Sequence, residues 1–165
     1  MRLVAPEKVA VIHVDSASDM LAASLGIQNN CDIFIAAAAV ADYRPVQVAT
    51  QKIKKSGEHM QMSLVKNPDI VATVAQLETA PFVVGFAAET QDVADYARGK
   101  LQSKNLNMII ANDVSNTDIG FNSDNNAVTA FWGDNQQDFP RMSKSALSND
   151  LIELIAQQYA DNKTT

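Results

Sequence analysis

The 165-residue sequence has one cysteine, two histidines and six scattered glycines, and each scarcity excludes something. With Cys31 alone there is no internal disulfide and no cysteine-based metal cage. Its place just before an apolar run suits a small core residue. His13 and His59 match no metal-ligand spacing. Glycines at 26, 57, 85, 99, 120 and 133 are too far apart for the dinucleotide G-x-G-x-x-G or for a P-loop. No G-x-S-x-G elbow is present either. A nicotinamide-dependent reductase, a P-loop NTPase and a serine hydrolase therefore lose their usual support. Positive charge is also short: the formal net charge is −6, which disfavours a nucleic-acid surface. No apolar run reaches the length of a membrane span. The N-terminus, MRLVAPEKVAV, lacks the apolar core of a secretory signal, so a cytoplasmic location is expected.

What is there is enough for a core. The apolar fraction is 47%, normal for a globular chain, and the length predicts one domain over 1–165. Strand and helix patterns alternate. Lys8–Val14 reads as a short strand. Ser16 with Asp19 resembles a capping box before a helix carrying Met20, Leu21 and Leu25 and stopping at Gly26. Asp32–Ala39 is almost wholly apolar and reads as a strand covered on both faces. Met60–Val65 suits an edge strand, and Asn67–Pro68 reads as a helix start with asparagine as N-cap. Phe82–Ala88 is a further strand, followed by a helix from Thr90 to about Lys104. Asn107–Ala111 is next. Gly120–Asn126 is a loop, Ala127–Trp132 a strand, and Gly133–Asn135 a turn. A last amphipathic helix begins at Ser145 or Ser148, with Asp161–Thr165 frayed. This alternation predicts an α/β fold, a mainly parallel sheet between helical layers, with the final strand region pairing antiparallel.

The chain is organised around Asp32–Lys55. Ligands of open parallel sheets bind beyond the carboxyl ends of the strands. Asp42, Glu89, Asn112 and Asp113 each follow an apolar strand, so parallel strands would gather them on one rim. Each alone could simply cap a turn. Lys52, Lys54, Lys55 and Lys66 fall close together, with Glu58 the only acid among them, as either a solvated loop or an anion-binding cluster. Lys100 and Lys104 share a helix face. Tyr96, four residues before Lys100, offers no salt bridge, so both lysines read as unpaired cations. They could complement the helix dipole or hold a phosphate. Phe86 is a core residue or a platform for a nucleobase. The Asn67–Val71 helix start offers free amides.

Six stretches carry a family likeness in one order: AAVADYRP (38–45), KIKK (52–55), LVKNPDIV (64–71), VGFAAET (84–90), KNLNMIIANDVS (104–115) and GFNSDNNAV (120–128). Together they resemble the phosphopantothenoylcysteine synthetase family, over roughly Val9 to Tyr159. The resemblance implies a Rossmann-like three-layer α/β sandwich. It also implies a ligase that joins 4′-phosphopantothenate to cysteine. CTP would convert the carboxylate to an acyl-cytidylate with release of pyrophosphate, and cysteine would then displace CMP. CTP as co-substrate, Mg²⁺ and a homodimer follow, with the GFNSDNNAV stretch near the dimer contact. Residue by residue, the resemblance implies CTP contacts from Ala36, Asp42, Lys52, Pro68, Asp69, Ile70, Val71, Phe86, Lys100 and Lys104. Lys52 would also support the chemistry, and Asn112 and Asp113 would line the site.

One departure is notable. Family members begin with a further strand–helix unit holding a Gly-rich turn and a Ser-Asn-x-Ser-Ser-Gly motif. The sequence starts after it, and the flavin-dependent decarboxylase domain that usually precedes is not represented, so FMN is not expected. The expectation is an N-terminally truncated synthetase, incompetent alone, with a raw sheet edge and the decarboxylase domain as a potential partner. The alternative is a non-catalytic nucleotide-binding or interaction module.

Overall fold

A computed structural model describes residues 5–27, 30–54, 57–113 and 123–164. In chain order the elements are α1 (Ala17–Gly26), β1 (Ile33–Ala36), β2 (Tyr43–Pro45), β3 (Leu64–Lys66), α2 (Ile70–Ala75), β4 (Phe82–Glu89), α3 (Val93–Ser103), β5 (Met108–Asp113), β6 (Asn125–Trp132), β7 (Asn135–Ser143) and α4 (Lys144–Thr164). They fall into two units. One comprises Met1–Ile27 and Ala39–Ile70, the other Gln28–Ala38 and Val71–Thr165.

The second unit holds a five-stranded sheet in the order β1-β4-β5-β6-β7. β1, β4 and β5 pair in parallel, β6 is antiparallel to β5, and β7 is antiparallel to β6. Only β6 therefore runs against the rest. Alternation along the strands splits the core into two faces. Phe82, Val84, Met108, Ile110, Val128, Ala130 and Phe139 meet Leu147, Leu151, Leu154 and Ile155 of α4. Ala87, Ile109, Ala111 and Phe131 meet Ala97 and Leu101 of α3, and Val83 meets Val74 and Ala75 of α2. Each fully buried Val, Leu, Ile, Met or Phe side chain contributes about 1.5–3 kcal/mol relative to exposure. The three-layer α/β arrangement expected from the alternation is present.

Several expectations change. β1 covers four residues rather than Asp32–Ala39, and it is not covered on both faces. It lies at the edge of the sheet with β4 as its one strand neighbour among the described residues, and Ile35 stays 38% exposed. The cap of α3 is Asp92 in place of Thr90, in a left-handed conformation (φ 44°). β5 runs on to include Asn112 and Asp113. β7 has no clear apolar signal: eight of its nine residues escape full burial, and neighbour pairing defines it. It follows β6 through a turn at Gly133, whose φ of +51° favours glycine. α4 starts at Lys144, and Ser143 Oγ accepts the Ala146 amide at 3.2 Å. The expected fraying does not occur by Asp161: the helix continues to Thr164, and Lys163 Nζ donates to Asp32 Oδ1 at 3.4 Å. The expected loop at Gly120–Asn126 lies partly outside the described residues.

In the other unit α1 carries the capping box read from sequence. Ser16 Oγ accepts the Asp19 amide at 3.1 Å, and Asp19 Oδ2 accepts the Ser16 amide at 3.0 Å. Lys8–Val14 is not a strand: no described segment pairs with it, and Val9, Val11 and Ile12 are over half exposed. Met60–Val65 contributes only through Leu64–Lys66, which pairs antiparallel with Tyr43–Pro45. Asn67 is not a helix cap. Its side chain is spent on the β2–β3 ladder, and α2 begins at Ile70.

Candidate functional site

The parallel strands of the larger unit end together. Ala36, the last residue of β1, pairs in register with Gly85, one residue before Phe86. Ala88 pairs with Asn112, and Glu89 with Asp113. This carboxyl rim is where an open parallel sheet takes a ligand. Phe86 is 41% exposed there, although Phe82–Gly85 and Ala87 of the same strand are buried. It lies on the same strand face as Val84, which α4 covers further down. The ring thus offers an aromatic surface for stacking.

Glu89 projects from the opposite face of β4, the side packed by α3. On α3, Val93, Ala97, Lys100 and Lys104 share one stripe. Ala97 is buried against the sheet, so Lys100 leaves the helix next to the strand. Its Nζ lies 2.6 Å from Glu89 Oε1. Lys100 is therefore paired, contrary to the reading of two unpaired cations. The partner is a strand-end carboxylate eleven residues earlier, outside any helical spacing rule. An ammonium has three donors, so two remain after this contact. Lys104 is the C-cap of α3, one turn further from the rim.

Asp42, Lys52, Pro68, Asp69 and Ile70 belong to the smaller unit, and Val71 to the larger. Asp42 is exposed, and its carbonyl accepts the Asn67 amide at 2.7 Å. Around it, Arg44 Nη1 donates to Asn67 Oδ1 at 2.9 Å and to the Lys66 carbonyl at 3.2 Å. Asn67 Nδ2 donates to the Ala41 carbonyl at 2.7 Å. This bracket holds the VADYR stretch in place and was not read from sequence. Lys52 and Lys54 lie in an exposed segment without regular structure, and Lys55 lies outside the described residues.

A groove of about 380 Å³ opens at the other end of the larger unit, lined in part by Cys31, Asp32, Asn105, Asn107 and Tyr159. Several of its polar groups are bound within the protein. Asn107 Oδ1 accepts the Val83 amide, Asn105 Nδ2 donates to the Ala75 carbonyl, and the Tyr159 hydroxyl donates to Asp32. Burial, then the neighbouring Asp32 charge, pushes the Cys31 thiol up, away from a reactive thiolate. This groove is fold-holding structure.

No cluster of three or more His, Cys, Asp or Glu among the described residues could hold a metal. No helix among them is long and apolar enough to cross a membrane.

The family model of the DNA/pantothenate metabolism flavoprotein C-terminal domain matches residues 1–159. The coenzyme A biosynthesis bifunctional protein CoaBC of Vibrio cholerae is 53% identical over 161 residues, covering 96% of this chain and 40% of that protein. Its Escherichia coli K12 counterpart is 48% identical over 158 residues, covering 93% of this chain and 39% of that protein. The crystal structure of the C-terminal domain of a CoaBC protein superposes with a TM-score of 0.78 at 33% identity, over 96% of this chain and 70% of that one. The chain thus spans about two fifths of the length of the curated relatives it matches. It belongs to the family of DNA/pantothenate metabolism flavoprotein C-terminal domains.

Proposed function

We propose that the chain is the phosphopantothenate–cysteine ligase part of a coenzyme A biosynthesis protein, using CTP. The observation that carries this reading is the carboxyl rim of the parallel strands, where an exposed Phe86 and the Lys100 ammonium stand on a family-matched scaffold. A carboxylate is a poor electrophile and needs a leaving group. In the proposed reaction a phosphopantothenate carboxylate oxygen attacks the α-phosphorus of CTP and pyrophosphate leaves. The cysteine amine then attacks the acyl carbon, an amide forms, the amine loses a proton, and CMP departs. Cations at the phosphates offset charge as it moves to the leaving group.

Within this reading Phe86 stacks on the cytosine, Lys100 and Lys104 hold phosphate oxygens, and the Ala36 backbone approaches the nucleotide. Asp42, Lys52 and the Pro68–Val71 segment contact CTP, with Lys52 also supporting acyl transfer. Asn112 and Asp113 line the site. Mg²⁺ accompanies the triphosphate, which suits an ion that keeps its waters and binds through substrate phosphates. The reading includes a cytoplasmic homodimer working with a decarboxylase domain.

The test is pyrophosphate release from CTP, dependent on 4′-phosphopantothenate and Mg²⁺, with CMP release on adding cysteine. Calorimetry with CTP runs beside it. Binding without turnover favours the nucleotide-binding module instead, and no CTP binding defeats the proposal.

A further inference from the structure

We infer that Glu89 is an internal counter-ion for Lys100, which directs the ammonium at the carboxyl rim and competes for it with an anionic ligand of the pyrophosphate class. The inference deepens the proposed function and rests on Lys100 meeting a phosphate oxygen.

Three observations carry it. The contact is short, 2.6 Å, as charge-assisted bonds are. The two partners differ in access: the Glu89 side chain is 15% exposed and that of Lys100 is 43% exposed. The carboxylate is thus shielded while the ammonium still faces solvent. Third, Glu89 is the final residue of β4, so the pair sits at the rim and not along the flank of the sheet. A flexible four-carbon stem would otherwise let the ammonium wander. Glu89 removes that freedom before any ligand arrives. It also cancels much of the charge that an anion would feel. A polyphosphate must share the ammonium with a fixed negative group and is repelled by it. When a phosphate leaves, the carboxylate is already in place to take over the ammonium, which favours release.

A pair that only supports the fold predicts the opposite sign. Breaking a structural contact loosens the site and weakens binding, or leaves it unchanged. Removing a competing counter-ion strengthens it.

The experiment titrates inorganic pyrophosphate into the full chain by calorimetry, using wild type, Glu89→Gln, Glu89→Asp, Lys100→Ala and the double variant Glu89→Gln/Lys100→Ala. Glutamine keeps the shape and an acceptor oxygen but loses the charge, so its dissociation constant should fall about fivefold. Aspartate keeps the charge but withdraws it by one methylene, and should tighten binding less. Lys100→Ala should weaken it, and the gain from glutamine should vanish in the double variant. Should Glu89→Gln fail to fold, the aspartate variant carries the comparison. Unchanged or weaker binding in the Glu89 variants, with Lys100→Ala still weakening it, overturns the counter-ion alone. A gain that persists without Lys100 also overturns it. Lys100→Ala binding like wild type, or no pyrophosphate binding by any variant, defeats both the counter-ion and the reading of Lys100 as a phosphate contact.

Discussion

The hydroxyl of Tyr159, near the end of α4, donates to Asp32 Oδ1 at 2.6 Å, a bond across 127 residues of sequence. Lys163 joins it, with its ammonium 4.5 Å from the Tyr159 ring centroid. Tyr159 also packs edge-on against Phe82, with ring centroids 6.1 Å apart. The last helix is thereby tied to the entrance of the first strand of the sheet.

That tie should be pH-dependent. The Tyr159 hydrogen bond first, then Lys163, holds the Asp32 carboxyl below the usual carboxylate range. A carboxyl with a depressed folded-state pKa stabilises the fold above its unfolded value, and that contribution is lost as pH falls through the folded value. Lys163 is shifted up, with the Tyr159 hydrogen bond first and Asp32 second as causes. Its contribution is present below its unfolded value and lost as pH rises through the folded one. Tyr159→Phe should therefore melt below wild type at neutral pH, and the two melting curves should converge as pH falls through the lowered folded-state value of Asp32. A gap that stays constant down to acid pH would show that the hydroxyl does not act through Asp32.

Gly85 is needed for space. A Cβ there would stand 2.8 Å from Leu106 Cδ1 and 3.8 Å from Ile109 Cγ1. The obstruction is the end of a flexible side chain, so Gly85→Ala should cost about 1 kcal/mol and not unfold the protein. Leu106→Val, which withdraws the clashing methyl, should recover part of that in the double variant. Chemical denaturation of the four proteins reads the coupling; strict additivity would mean that Leu106 is not the obstacle.

Asn67 should matter more to local order than its half-exposed position suggests. Asn67→Ala removes both the donor to Ala41 and the acceptor for Arg44. Amide exchange in β2 and β3 should then quicken about tenfold, the equivalent of roughly 1.4 kcal/mol. Asn67→Asp keeps the acceptor and should retain more protection than alanine. Equal exchange in both variants would assign the effect to the Ala41 contact alone.

At the rim, Lys100→Ala should weaken CTP binding about tenfold or more, the size of a lost charge-assisted hydrogen bond. Phe86→Ala should weaken it by roughly 1–3 kcal/mol if the ring stacks on the base. Phe86→Tyr should keep most of the affinity. Calorimetry decides, and equal affinity in wild type and Phe86→Ala would remove the stacking role.

Much of the larger unit is legible from residue patterns. Alternating strand and helix signals, the apolar run from Phe82 and the stripe on α3 all reflect local periodicity, which a linear sequence displays directly. The capping box of Ser16 and Asp19 is equally local. What escaped reading depends on neighbours. The apolar run after Asp32 looks central, but its place in the sheet depends on which strands flank it. Val9–Val14 has strand-forming residues and no described pairing partner. Asn67 before Pro68 resembles a helix start, yet Arg44 and Ala41, more than twenty residues away, claim its side chain. Lys100 has no acidic residue four positions before it on α3, while its partner ends the preceding strand.

The parity of β4 has one last effect. Phe86 and Glu89 are an odd number of residues apart, so the ring and the Glu89–Lys100 pair look out from opposite faces of one strand. Any molecule touching both must bend over the strand tip, as a rider sits a saddle. A lone small anion can satisfy the ammonium without ever reaching the ring. Contact with both groups thus demands a guest long enough to cross the strand tip, whereas contact with either alone does not.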